Sequence, residues 1–418
     1  MFPTLGQFIK NSPTAFHAVR SCKDILTEHG YKELFESEAW ELEKGGKYFV
    51  VKNGSSLISF KIPQNEIKSY MIAASHSDSP AFKLKDNHLL SDNAYTRLST
   101  EKYGGMLCST WLDKPLSIAG RIVVSDKDGV IRSRLVDYKN VALIPNVAIH
   151  FNRNANEQAS FNAAVDMIPV TEAEFDAIFG ESVGKDKLLS KDLFLYNGQD
   201  ACLWGEYVSA PRLDDLQCAY ASLRGLVASE PCDNACPVYA LFDNEEVGST
   251  TKQGAASTFL SDVLERISES CTLNLKAVLA SSLMLSCDNA HAVHPNHPEY
   301  TDKSNSVYMN KGIVIKYNAN QKYTSDAISS AIFKSMCDSS GVPYQVYANR
   351  SDLPGGSTLG NIATTHVSIN AIDIGLAQLA MHSSYETAGI KDTEYMTDIT
   401  KYFFEHYIEV KEQNYTIK

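Results

Sequence analysis

Three short apolar runs in this chain stop abruptly at charged residues, and each stop carries a side chain suited to acid–base or metal chemistry. Tyr70-Met71-Ile72-Ala73-Ala74 ends at Ser75-His76-Ser77-Asp78, and Val238-Tyr239-Ala240-Leu241-Phe242 ends at Asp243-Asn244-Glu245-Glu246. Ser282-Leu283-Met284-Leu285-Ser286-Cys287 ends at Asp288. Apolar runs of this length, bounded by turn formers, predict buried strands. Helical patterns lie between them. Leu216, Ala219, Tyr220, Leu223, Leu226 and Val227 fall mostly at three- and four-residue steps, the spacing of one buried helix face. Strands alternating with helices predict an α/β fold, and ligands of such folds gather beyond the carboxyl ends of the strands.

At 418 residues the chain predicts two domains, and 44% hydrophobic content is enough for a sizeable core. The texture changes from about Asp86 to Glu206. There Leu116–Val124 and Arg132–Asp137 read as strands flanking an Asp-Lys-Asp-Gly turn. This predicts a β-rich insertion, residues 86–206, in an α/β domain made of residues 1–85 and 207–418. Within the first part, Asn53-Gly54 between Tyr48–Val51 and Leu57–Phe60 predicts a hairpin, because this pair supplies the positive φ that tight turns need. Ser12-Pro13 predicts a helix capped by Ser12. A helix is expected through Ala255–Leu264, and a strand over His366–Asp373.

Lys+Arg 38 against Asp+Glu 50 gives a net charge of -12 with no basic block, which argues against nucleic acid or an anionic membrane as partner. No leader pattern or apolar stretch of membrane-spanning length is found, so a cytoplasmic location is expected. The nine cysteines are odd in number and scattered, which predicts reduced thiols; Cys232 and Cys236 have no second pair to complete a metal site. The glycine-rich turn before Leu359 lacks the lysine-serine ending of a phosphate loop.

Two adjacent glutamates cannot both be buried without a cation, since an unpaired carboxylate in a low-dielectric site costs several kcal/mol or gives up its charge. One carboxylate holding a divalent ion with its neighbour aimed at a water would have the parts of a hydrolytic site. Taken alone, Glu245-Glu246 reads as an exposed loop, His76 as a turn histidine and Asp214 as a helix cap. His76, Asp214, Glu246, Asp288 and His382 nevertheless all fall near strand ends of one α/β pattern. Two imidazoles and three carboxylates without a thiolate suit zinc, cobalt or manganese. His291, His294 and His297 lie in a proline-broken stretch and are expected to be structural or to belong to an interface.

Ser75-His76-Ser77-Asp78-Ser79-Pro80, Pro211-Arg212-Leu213-Asp214, Asp243-Asn244-Glu245-Glu246-Val247-Gly248-Ser249, Asp288-Asn289-Ala290-His291-Ala292-Val293-His294-Pro295-Asn296 and Leu379-Ala380-Met381-His382-Ser383 together resemble the aspartyl aminopeptidases, nearly end to end. The resemblance implies a zinc-exopeptidase-like mixed sheet between helices, with an inserted dimerisation domain. It implies two divalent metal ions, most often zinc, bridged by Asp214. His76 and Asp288 would complete one site, and Glu246 and His382 the other. Glu245 would be the general base acting on a metal-bridging hydroxide, with Asp78 behind His76. Lys316 would face the acidic side chain of an N-terminal Asp or Glu, and His150 would reach the active site of a neighbouring subunit in a homo-oligomer that builds to a dodecamer. Asp215 departs from the asparagine of many relatives. The residues themselves leave open a neutral-residue aminopeptidase, a carboxypeptidase, a deacylase or a non-catalytic assembly protein.

Overall fold

The apolar runs form the middle of a mixed sheet. The computed structural model describes residues 2–91, 94–172, 175–230 and 232–418. Among these, a nine-stranded sheet runs in the order Lys32–Leu34, Lys47–Lys52, Ser56–Lys61, Ala235–Phe242, Ser69–His76, Leu283–Cys287, Asn370–Gly375, Ile313–Tyr317, Tyr344–Ala348. Ser69–His76 lies parallel to both Ala235–Phe242 and Leu283–Cys287. Hence these strands end on the same edge. Phe242 pairs with His76, and Ser286 with Ala74, so Asp288 comes level with His76.

Burial on both faces explains why the strands lack polar alternation. Met71, Ala73, Tyr239, Leu241, Leu283 and Leu285 share a core with the helices Ala15–Glu28, Leu213–Ala228, Ala327–Ser340 and Ile390–Phe404. Tyr70, Ile72, Val238, Ala240 and Met284 pack the other face against Phe259–Ser270, Leu275–Ala280 and Leu359–Ala363.

The β-rich stretch closes into a barrel of Lys187–Tyr196, Ala81–Ser91, Thr96–Tyr103, Val170–Thr171, Ile131–Leu143 and Leu116–Ser125, filled by residues such as Phe82, Leu98, Ile118 and Leu193. A smaller sheet joins Tyr207–Ala210 to Glu386–Gly389 and Ala377–Leu379. No helix among the described residues is long and apolar enough to cross a membrane.

Three local expectations are corrected. The first long helix starts at Ala15 with Thr14 at the cap position, while Ser12 instead bonds the Ser21 hydroxyl at 3.3 Å. The helix after Glu245-Glu246 begins only at Phe259. Gly254 holds the intervening chain in a tight turn, where a Cβ would lie 2.2 Å from the Ser249 carbonyl oxygen. The strand expected from His366 begins at Asn370, because the amides of His366 and Val367 still turn back to the Ala363 carbonyl at 3.0 Å.

Candidate metal centre

His76 is the last residue of its strand and is 1% exposed. Its Nδ1 meets the Asp78 carbonyl at 3.1 Å, and its Nε2 faces Asp214 Oδ1 at 3.4 Å. His382 repeats this arrangement from a turn with φ +66°: Nδ1 meets the Gly105 carbonyl at 2.6 Å, while Nε2 lies 3.5 Å from Asp214 Oδ2 and 3.3 Å from Glu246 Oε2. A carbonyl partner accepts a proton from Nδ1. Both rings therefore turn Nε2, the nitrogen free to bind a metal, toward the same carboxylate.

Asp214 lies at the strand-to-helix junction but off the helix, with φ -81° and ψ 108°, two residues after Arg212 at φ +58°. Its carboxylate is set between the imidazoles. Ligand atoms of His76, Asp214, Asp215 and Asp288 lie within 4.8 Å of one another, as do those of Asp214, Glu246 and His382, and those of His76, Glu245 and Glu246.

Charge in the cluster is unbalanced. Burial, then Asp288, Asp78 and Asp214, push Glu245 up to about 8, with His76 opposing. Burial and neighbouring carboxylates likewise raise Glu246, Asp288 and Asp215. His382 rises to about 10: burial works against its charge, but Asp214 and Glu246 outweigh it. Among the described residues, Asp214 Oδ1, Asp215 Oδ1 and Glu246 Oε1 are buried and meet no hydrogen-bond partner. Such a crowd of carboxylates with bare oxygens and two aligned imidazoles is the donor set of a zinc-type cation, so the residues present fit the metal.

Asp78 does more than stand behind His76. Its Oδ1 accepts from the Glu245 amide and its Oδ2 from the Glu246 amide, both at 3.1 Å, and Tyr103 of the barrel donates to Oδ2 at 2.7 Å. The barrel strand thus ends inside the site. Gly104, at φ +76°, runs so close that a Cβ there would sit 3.1 Å from the Glu246 Cβ.

A cavity of about 200 Å³ opens beside the cluster, lined by Glu245, Asp288, His291, Lys316, Tyr323 and His382 among others. Lys316 is 2% exposed; its Nζ donates to the Asn289 carbonyl at 2.8 Å and lies 3.7 Å from Asp288 Oδ2. Burial opposes its charge, but Asp288, Tyr323 and Asp373 keep it protonated. His291, expected to be structural or at an interface, lines this cavity as well.

His76, Asp214, Glu245, Glu246, Asp288, His382 and Lys316 are thus brought together. His150 is not: it is exposed on a turn beyond the strand Ile131–Leu143 and is absent from the cavity wall. Tyr103, Gly105 and Glu386 had no signal in the sequence, because Tyr103 and Gly105 act on distant parts of the chain and Glu386, although four residues from His382, meets its other partner, Asp214, 172 residues away.

Comparison with known proteins names the group. The family described as aminopeptidase I zinc metalloprotease (M18) matches residues 8–404. The chain belongs to the M18 family. It is therefore an aminopeptidase of the metallopeptidase class. It is 44% identical to a probable M18 family aminopeptidase 2 of Clostridium acetobutylicum, over 96% of this chain and 97% of the relative. Its fold matches a chain in the cryo-EM structure of the Ape4 and Nbr1 complex, with TM-score 0.91 and 33% identity over 96% of this chain and 84% of that one. It also matches the S. cerevisiae mApe1 dodecamer, with TM-score 0.84 and 28% identity over 96% of this chain and 95% of that one. Membership of this family removes carboxypeptidase and deacylase from the readings that the residues left open.

Proposed function

We propose that this M18 aminopeptidase releases N-terminal Asp and Glu from peptides, using two divalent metal ions. The observation that carries the acidic preference is a buried ammonium, Lys316, on the wall of the cavity that Glu245, Asp288 and His382 also line. Lys316 has three donors. One goes to Asn289 and one faces Asp288, which leaves the third for a substrate carboxylate. A single buried cation outweighs the acidic surface, whose field is screened over roughly 8 Å at physiological salt.

His76 and Asp288 would hold one ion, Glu246 and His382 the other, and Asp214 would bridge them. When bound, the ions would polarise the scissile carbonyl and lower the pKa of water. Glu245 takes the proton of the attacking water and passes it to the departing amine. Asp78 fixes Glu245 through its backbone amide, and the Nδ1 contacts of both histidines hold their rings in the binding tautomer.

The 86–206 region would serve a homo-oligomer, by analogy with the mApe1 dodecamer, and would present His150 to a neighbouring subunit's site. Val147, Phe151 and Val165, which are 54%, 87% and 70% exposed, support an interface on this segment. The enzyme would work in the cytoplasm; fractionation that recovers it outside the cell would remove that assignment.

Lys316→Ala tests the reading. Hydrolysis of Asp- and Glu-anilides is expected to fall at least tenfold relative to Leu-anilide, about 1.4 kcal/mol of discrimination. An unchanged ratio would end the case for Lys316 as the selector.

A further inference from the structure

Glu386 opens the strand Glu386–Gly389, whose register sets it opposite Ala210, a few residues before Asp214. It is 2% exposed, and both of its carboxyl oxygens point at backbone. Oε2 accepts from the Asp214 amide at 3.0 Å, and Oε1 from the His382 amide at 2.7 Å. Glu386 thus links Asp214, 172 residues away in the chain, to His382, four residues before it. Arg212 and His382 stand at φ +58° and +66°, which non-glycine residues keep only where their surroundings impose it. Asp214 has left helical geometry as well.

We infer that Glu386 is a positioning residue that ties the backbone of Asp214 to that of His382. It sets the 3.5 Å approach of His382 Nε2 to Asp214 Oδ2, and with it the grip on a cation shared by Asp214, Glu246 and His382. With both oxygens committed, Glu386 is a support for the ligands and not one of them. A carboxyl group is required because two donors converge on it; an amide offers one acceptor and turns an NH₂ toward the second donor. The inference rests on the proposed metal centre for its consequence, but its structural part stands apart from it.

Glu386→Gln, which keeps the shape, separates the two. In metal-free protein, the Asp214 and His382 amides are expected to exchange hydrogen at least tenfold faster than in the parent, with the strand Ala235–Phe242 unchanged. Zinc affinity, measured by chelator competition, is expected to fall at least tenfold, and activity to return at saturating zinc. Exchange and zinc affinity equal to the parent's would overturn the inference. Faster exchange throughout the chain would also overturn it, since Glu386 would then serve general stability. A parent that binds no zinc would sink the metal centre, while the exchange comparison still decides the positioning role. Glu386→Asp keeps both acceptors on a shorter arm and is expected to fall between parent and Glu386→Gln. It carries the same comparison should the glutamine variant fail to fold.

Discussion

At the scale of single residues, position within the cluster separates carboxylates of identical chemistry. Glu245 and Glu246 are neighbours, yet Glu246 faces His382 at 3.3 Å while Glu245 looks into the cavity. Glu245→Gln is expected to retain metal, by elemental analysis, and to lose turnover by about 10² to 10⁴, the span of a general base. A variant that stays active would move that role to another group. Outside the site, His17 shows a residue whose cost depends on pH. Burial, together with Lys139 and Arg212 and against Asp137, lowers its pKa from 6.5 to about 4. It folds neutral, with Nδ1 on the Thr14 hydroxyl at 2.9 Å. Above pH 6.5 both folded and unfolded forms are neutral and the group is silent. As pH falls below that value the unfolded chain gains a proton that the fold refuses, so stability declines until pH reaches about 4. His17→Gln is expected to recover about 2 kcal/mol of the unfolding free energy lost between pH 7 and 5 in denaturant titrations.

At the scale of elements, the sequence was most legible where local chemistry acts alone. Asn53-Gly54 specified its hairpin, and the runs before His76, Glu245 and Asp288 became the parallel strands. Helix starts were less legible, because turns such as the one through Gly254 depend on backbone contacts that composition does not announce. Gly225 makes the same point inside a helix. By propensity, alanine there would gain about 1 kcal/mol. A Cβ, however, would lie 2.1 Å from Thr400 Oγ1 and 2.9 Å from the Lys401 amide, because Leu213–Ala228 packs on Ile390–Phe404 at this point. Overpacking of this kind costs about 1–3 kcal/mol, and the Lys401 backbone cannot swing aside. Gly225→Ala is therefore expected to lower the urea midpoint, and a raised midpoint would show that the helices can separate without penalty. Asp214 lies at the junction that leads into the former helix, so a shift of that helix is expected to reach the site as well.

At the scale of the whole molecule, the inserted barrel and the nine-stranded sheet meet at one candidate site. Tyr103 reaches Asp78 and Gly105 reaches His382, so the insertion supports the same residues that the sheet presents. The exposed segment around His150 carries the proposal outward. Light scattering is expected to give a multiple of the chain mass. His150→Ala is expected to lower kcat at least tenfold without changing that mass, and a monomeric parent with full activity would remove His150 from the site. The sequence by itself determined the alternation of strand and helix, and it put chemistry at the strand ends. Hydrophobic period, turn residues and short motifs are local in the chain, and so they survive in a one-dimensional reading. Only the tertiary structure decided what stands around those residues: the Asp78 carboxylate under the Glu245-Glu246 backbone, the Gly105 carbonyl behind His382, Glu386 between two distant amides, and Lys316 in the cavity. Apart from the link of Glu386 to His382, four residues away, each of these is a hydrogen bond or charge contact closed by the fold between segments far apart in the chain, and no spacing along the sequence encodes it.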